Sequence, residues 1–207
     1  MTELSPASSE PVDFFAVLSR QRACRAFSDE PVSDEVVERI LEAATHAPSA
    51  ENTQPWAFIV IRDAEARARI GALTEATWNR SGRDFSRDRL SPALLADVDH
   101  GATGGVSGAP VLVVVAGETT RCVESALAAS VFPAIQNLLL AANACGLGSA
   151  LTTLPTFAPE LATDLALPDS MRPMAVVPLG YPQRPLGAPV RVPVAEKAHR
   201  ERFGHPW

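Results

Sequence analysis

Apolar residues at helical spacing mark the best-defined helix near the start of the chain. Ser33 is predicted as its N-cap, because a serine side chain can accept a hydrogen bond from a free backbone N–H group of the first turn. Asp34 and Glu35 then suit the electropositive end of the helix, and Pro48 marks the end of this region. The apolar positions of this predicted helix are Val36, Val37, Ile40, Leu41 and Ala44.

Three further stretches predict helices from the same periodicity. One begins after Asp13 as N-cap, a second covers about 64–78, and a third covers roughly 124–144 and ends at Gly146 in a left-handed C-cap. Pro133 should kink the third helix or split it in two. The first helix is expected to bury Phe14, Phe15 and Leu18.

Short runs of β-branched and aromatic residues predict the strands. WAFIVI at 56–61 and APVLVVVAG at 109–117 are the strongest of these runs. LTTL at 151–154 and MAVVPLGYP at 174–182 are two weaker ones. Helices and strands therefore share one chain, without a regular alternation along the sequence.

Composition limits the classes of function. The 207 residues fit one domain, and a hydrophobic fraction of 46% with 20% charged residues is typical of a globular protein. The net charge of -6 argues against a broad basic face for nucleic acid or an anionic membrane. The positive cluster of Arg20, Arg22 and Arg25 is therefore local, and it is expected to bind an anion.

The N-terminal segment and the cysteines predict a cytoplasmic protein whose cysteines are reduced thiols. Residues 1–12 are polar and rich in Pro and Ser, and are expected to form a flexible arm and not a signal peptide. No apolar stretch was expected to span a bilayer. Cys24, Cys122 and Cys145 are odd in number and far apart, and the four histidines lack metal-ligand spacing, so neither a disulfide framework nor a metal site is predicted.

Two segments are poor in regular patterns. Residues 79–108 are rich in Gly, Ser and Arg and predict a surface excursion with one short helix after Ser91, serving as a lid over a substrate. Residues 183–207 form a tail with separate apolar residues that need a surface to pack on. This tail either crosses onto a second subunit or folds back on its own core.

A polar turn is predicted between the second helix and the first strand. Pro48 and Pro55 bracket Ser49, Asn52 and Gln54, whose hydroxyl and carboxamide groups suit a planar polar heterocycle. The simpler interpretation is a turn whose side chains satisfy nearby backbone groups.

Several motifs, in order along the chain, resemble the nitroreductase family of FMN-dependent oxidoreductases. RxxR at 22–25 is followed by APSAENTQPW, then by SVFPAIQNLLLAANACGLGS, LTTL and LGYP, and finally by an arginine before PVxExxH. Together they cover residues from about 14 to 203. The branch with SAEN and LTTL also resembles reductive dehalogenases of iodotyrosine and the flavin-fragmenting enzymes of benzimidazole synthesis.

The resemblance implies an α+β fold with a central, mainly antiparallel sheet flanked by helices. It implies one FMN-binding domain over residues 13–207 and a homodimer that exchanges the tail, with the FMN sites at its interface. NAD(P)H would then visit the pocket above the flavin as a transient donor, without a dinucleotide-binding motif.

The resemblance also assigns roles to the arginine cluster. Arg22 and Arg25 match the family pattern and would hold the FMN phosphate and the pyrimidine side of the ring, because arginine can clasp a phosphate bidentately. Ala23 stands where the family often has serine, so one hydroxyl contact is missing. Arg20 lies outside the pattern and is expected to be a solvated cation at a helix end, and a lowered pKa for Cys24 would still lack an oriented base.

The remaining site residues come from three other segments. Ser49, next to Pro48, would meet the phosphate or ribityl end of FMN, and Asn52 the edge of its ring. Arg191 would close on the phosphate, or else is a surface charge, and Gln54 is either a ring contact or a satisfied polar group. The groups expected near N5 and O4 of the flavin are Leu151, Thr152 and Thr153.

The implied reaction is ping-pong: a hydride passes from NAD(P)H to FMN and then to an electron-poor acceptor such as a nitroaromatic or a quinone. No catalytic side chain is predicted, because the cofactor supplies the chemistry and water can supply protons. Two other functions stay open. One is a flavin-binding sensor or storage protein with little turnover, and the other is a specialised flavin enzyme for dehalogenation or flavin fragmentation.

Overall fold

The computed structural model describes residues 13–207, and the predicted flexible arm over 1–12 lies outside the described residues. Helices form most of the layer around a single sheet. The helices are α1 (Phe14–Arg20), α2 (Asp34–Thr45), α3 (Ala64–Thr77), α4 (Arg83–Arg87), α5 (Pro92–His100), α6 (Val106–Gly108), α7 (Glu124–Ala144) and α8 (Glu160–Asp164). The strands are β1 (Trp56–Ile61), β2 (Val111–Glu118), β3 (Gly148–Ser149) and β4 (Met171–Gly180).

The four strands form one antiparallel sheet in the order β1-β2-β4-β3. Strand β2 lies inside the sheet, and its residues 111–117 are buried because helices cover both of its faces. The α+β class and the mainly antiparallel sheet are thus confirmed. The strand predicted at LTTL is wrong: only Thr152 pairs with β4, through Val176, and a 3-10 turn follows over Leu154–Phe157.

The core is built around α7, which packs on α2 and on the sheet. Pro133 lies within one continuous helix, so the predicted split is wrong. Gly146 has a φ of 79°, and Leu147 N–H donates to Ala142 O at 2.8 Å, which is the expected glycine C-cap. Contrary to the sequence prediction, α7 is long and apolar enough to cross a membrane by length and composition, with 44% of its most apolar window buried inside the fold.

Helix α1 begins as predicted, because the Asp13 side chain accepts hydrogen bonds from Phe15 N and Ala16 N. Its predicted burial is wrong. Phe15 is 76% exposed and Phe14 60% exposed, whereas Val17 is buried. The apolar face of α1 therefore borders an open groove of about 580 Å³ between α1, α2 and α7.

Residues 79–108 are helical almost throughout, which corrects the expected irregular excursion. Two π-helical turns, Trp78–Gly82 and Gly101–Gly105, join α4 and α5 to their neighbours. The helix predicted after Ser91 is α5, with Ser91 as its N-cap. Trp78 and Val106 are buried in the structure, whereas Phe85 on α4 is 67% exposed.

The tail over 183–207 crosses the arginine cluster and then leaves the core. It contains one short 3-10 turn, Val194–Glu196, and no strand. Its end folds on itself, with the His199 ring 4.5 Å from Phe203 and Arg200 over Trp207. Phe203 is nevertheless 92% exposed, so the tail does not bury its apolar side chains on its own core.

Candidate active site

The arginine stretch runs in extended form beside the short edge strand β3. Cys24 N–H donates to Ser149 O at 2.8 Å, and Ala23 forms a parallel bridge with the same residue. Arg20 stays at the end of α1, where its Nε donates to Ala16 O at 3.2 Å. This position fits the expected helix-end cation. Arg22 and Arg25 lie beyond the helix, in the extended part.

Four arginines from two distant parts of the chain line two adjoining cavities. Arg22 and Arg25 line both of them. Arg184 completes a cavity of about 310 Å³, and Arg191 a second cavity of about 410 Å³. The tail is held at this place by a hydrogen bond of 3.0 Å from Arg22 Nη1 to Gly187 O. Arg191 thus lies beside the predicted clamp within one chain, although it is 166 to 169 sequence positions away from Arg25 and Arg22 and local patterns could not place it there.

One carboxylate balances part of this positive charge. Asp97, on α5, accepts a hydrogen bond from Arg25 Nη1 at 2.5 Å. The four arginines and Asp97 leave an excess of three positive charges around the two cavities. A phosphate monoester carries about -1.5 to -2 charges near neutral pH, so this surplus suits it well.

The Leu151–Thr153 segment approaches Arg25 from the sheet. Thr152 exchanges two backbone hydrogen bonds with Val176 of β4, at 2.8 and 3.0 Å, which fixes its position. Leu151 and Thr152 line a small cavity of about 90 Å³ together with Arg25. The structure therefore brings Leu151 and Thr152 together with Arg25, although the backbone is not a regular strand there, whereas Thr153 does not line this cavity.

The polar turn over Pro48–Gln54 is strained. Glu51, Asn52 and Gln54 have positive φ values of 52°, 57° and 49°, which residues other than glycine adopt rarely. Hydrogen bonds hold this shape: Gln54 N–H donates to Ser49 Oγ at 3.0 Å, and Gln54 Nε2 donates to Asn52 Oδ1 at 3.2 Å. Backbone strain of this kind concentrates at functional sites. The sequence alone gave no sign of it.

The polar turn and the arginine cluster lie at separate positions along α7. Ala50, in the turn, donates its N–H to Ser130 Oγ at 3.1 Å. Ser130 precedes the end of α7 at Ala144 by 14 residues, which is about 21 Å at 1.5 Å per residue. The arginine stretch pairs with β3, just after that end. Pro48, Ser49, Asn52 and Gln54 accordingly line none of the three cavities that contain Arg25.

The thiol beside the arginines is not activated. Burial raises the pKa of the Cys24 thiol, and the nearby Arg25 only partly opposes that effect. The pKa shift is thus opposite in direction to the lowering that two neighbouring arginines suggest. Cys24, Cys122 and Cys145 are all free thiols.

Sequence reasoning missed Arg184 and Asp97, together with two glycines that touch Arg25. Arg184 directly follows the LGYPQ run, where an arginine close to the end of a core strand could have been considered. Gly101 and Gly105 pack against the stem and the backbone of Arg25. Nothing in their local pattern indicates a contact with a residue about 80 positions away.

Comparison with known proteins decides the family. The model of the nitroreductase family matches residues 18–181. The chain belongs to the nitroreductase family. An Archaeoglobus fulgidus relative, provisionally named an NADH dehydrogenase/NAD(P)H nitroreductase, is 33% identical over 168 residues, which are 79% of this chain and 82% of the relative. This nitroreductase-family chain also resembles rat iodotyrosine deiodinase 1, with 28% identity over 183 residues and 83% of this chain covered. It spans 63% of the length of that deiodinase.

A solved structure supports the same assignment. A provisionally named nitroreductase from Desulfovibrio desulfuricans, in complex with FMN, superposes with a TM-score of 0.71 at 29% identity. The alignment covers 94% of this chain and 99% of that protein. The α+β fold inferred for this nitroreductase-family chain is thereby confirmed.

Proposed function

We propose that this chain is an FMN-dependent oxidoreductase that takes a hydride from NAD(P)H and passes it to an electron-poor small molecule. The observation that carries this proposal is the convergence of Arg22, Arg25, Arg184 and Arg191 on two adjoining cavities. Arginine stays charged at any working pH and can bind a phosphate bidentately. The FMN found in the Desulfovibrio relative carries such a phosphate.

Leu151 and Thr152 suit the ring end of the flavin. When bound, FMN supplies the hydride chemistry at its ring. Leu151 and Thr152 line a cavity with Arg25 that the tail does not line, and a ring joined to a clamped phosphate could reach them there. Positive charge from Arg25 next to the pyrimidine side would stabilise added negative charge on the ring. No side chain is assigned as a general acid or base.

The polar turn completes this site only in a homodimer. Ser49 and Asn52 lie far along α7 from Arg22 and Arg25 of the same chain, which supports a site whose two sets of residues come from different chains. A twofold axis would bring the turn of one protomer to the arginines of its partner. The open groove beside α1 and the exposed residues of the tail provide apolar surface for such a contact.

Mixed dimers test this shared site. One chain would carry Arg22→Ala with Arg25→Ala, and the other Ser49→Ala with Asn52→Ala, each with a different affinity tag. Either variant alone should lose FMN, whereas the purified heterodimer should bind one flavin per dimer, because one of its two sites then has all four side chains. Bound flavin is counted by absorbance after heat release. A heterodimer as empty as its two parents would mean that the site lies within one chain.

Turnover distinguishes the proposed reaction from the other candidates. The purified protein should be yellow with FMN and should oxidise NADH or NADPH only when a nitroaromatic or a quinone is present. The deiodinase relative favours a second candidate, reductive dehalogenation. Release of iodide from 3-iodotyrosine by the dithionite-reduced protein, without turnover of nitroaromatics, would support that candidate. Bound FMN with neither activity would favour a sensor or storage protein.

A further inference from the structure

One face of the 92–108 helical region packs against Arg25. Asp97, Gly101 and Gly105 follow one another at four-residue spacing, so they lie on the same side of consecutive turns. All three contact Arg25. Its side chain is only 23% exposed as a result, although the residue belongs to an extended stretch near the surface.

The two glycines permit this close approach. A Cβ at Gly101 would lie 2.5 Å from Arg25 Cδ, and a Cβ at Gly105 would collide with the carbonyl oxygen of Arg25. The stem of the arginine therefore lies directly on the helical backbone. Gly104 lies in the same turn, but a Cβ there would meet nothing within 4 Å. The contact is thus specific to the face that carries Asp97.

Asp97 then fixes the end of the side chain. Its carboxylate accepts from Nη1 of Arg25 at 2.5 Å. A guanidinium group has five N–H donors in a rigid plane, so a single bond at Nη1 sets the direction of the plane and leaves the other donors for a ligand. An arginine held in this way loses less side-chain entropy when an anion binds.

We propose that Asp97 is a positioning residue that orients Arg25 for the anionic group of the cofactor, with Gly101 and Gly105 as its packing support. This proposal rests on the proposed function, because the anion is taken to be the FMN phosphate or the pyrimidine edge of the flavin. In this role Asp97 acts through Arg25 and not by binding the ligand. Its effect has two opposing parts: its geometry favours binding, whereas its negative charge repels an anion.

Two substitutions separate the geometry from the charge. Asp97→Asn keeps an oxygen acceptor for Nη1 and removes the negative charge, so FMN should bind as tightly as in the wild type or up to about threefold tighter. Asp97→Ala removes the acceptor and frees the guanidinium, so binding should weaken about three- to tenfold, in the range of one net hydrogen bond. Fluorescence titration of apoprotein with FMN measures both, and thermal unfolding of the apoproteins shows that they fold.

Matched controls come from the same region. Asp84→Asn removes a carboxylate that pairs with Arg87 at 2.8 Å on exposed α4, and it should leave FMN affinity unchanged. Gly101→Ala should weaken binding because it displaces the stem of Arg25, whereas Gly104→Ala should not. In an Arg25→Ala background, which alone should lose about 10- to 150-fold in affinity, Asp97→Ala should have no further weakening effect.

The outcomes are distinct. Equal affinity of Asp97→Ala and wild type, with Gly101→Ala also unchanged, would overturn the positioning role. Tighter binding by Asp97→Ala than by the wild type would overturn it too, since Asp97 would then act only as a competing charge. A wild-type protein that does not bind FMN at all would refute the proposed function instead.

Discussion

Truncation of the tail after Arg191 is expected to weaken the dimer while it leaves the arginines of the candidate site in place. A chain that stops after Arg191 keeps the four arginines but loses Val192, Val194, Phe203 and Trp207, which are 53%, 69%, 92% and 67% exposed. Together these fractions equal nearly three fully exposed side chains. At about 1.5 kcal/mol for each apolar side chain buried, one arm placed on a partner contributes about 4 kcal/mol.

This magnitude predicts a large change in assembly. The dissociation constant of the dimer should rise at least about a thousandfold, since each 1.4 kcal/mol is a factor of ten. FMN affinity of the truncated chain should then depend on protein concentration, because each site, as proposed, uses residues of two chains. Arg191→Ala in the full-length chain is the matched control: it should stay dimeric and lose affinity for FMN alone. Sedimentation velocity, with flavin fluorescence read in the same samples, measures both properties.

The opposite result would refute the exchanged arm. If the truncated chain stays a tight dimer and binds FMN as the wild type does, its apolar side chains are not buried on the partner. If it stays monomeric at every concentration but binds FMN normally, the shared site is wrong as well.

Two further outcomes are expected, one from the predicted lid over residues 79–108 and one from the buried thiol of Cys24. Phe85→Ala, which removes an exposed ring 4.4 Å from the Arg89 guanidinium, should leave FMN affinity unchanged and alter the ratio of kcat/KM between quinones and nitroaromatics; an unchanged ratio would remove α4 from the acceptor site. Because burial raises the pKa of Cys24, the folded protein keeps the thiol proton to a higher pH than the unfolded chain does. The free energy of unfolding should therefore fall as the pH rises above about 8.5, the ordinary pKa of a cysteine thiol. Iodoacetamide at pH 8 should accordingly modify Cys24 only after unfolding, as peptide mass analysis would show, and rapid labelling of the folded protein would contradict this.

The sequence predicts the parts of the fold that depend on local chemistry. Ser33, Asp13 and Gly146 act as caps where their side chains or backbone freedom allow, and α2, α3, β1 and β4 lie close to their predicted positions. These elements combine clear periodicity with a start or stop signal, and both are readable within a few residues.

Features that depend on distant contacts were not predictable. Residues 79–108 look like a loop because glycine disfavours helices, yet Gly101 and Gly105 serve a close approach to Arg25, and the Trp78 indole donates to Asp99 at 2.8 Å. Helix α1 has an apolar face, but a sequence pattern does not say whether the same chain or a second copy covers that face. Phe15 shows the difference, since it is 76% exposed in a single chain.

The division of the candidate site has a thermodynamic consequence. If FMN binds arginines from one chain and the polar turn from another, it binds the dimer and not the separate chains, so each flavin stabilises the dimer by RT ln(1 + [FMN]/Kd). The strained turn fits this dependence. Its three residues with positive φ carry a conformational cost, and within one chain the hydrogen bond from Gln54 N–H to Ser49 Oγ helps to hold them in that shape. Contacts with FMN across the interface would offset that cost and stabilise the conformation that the turn already has.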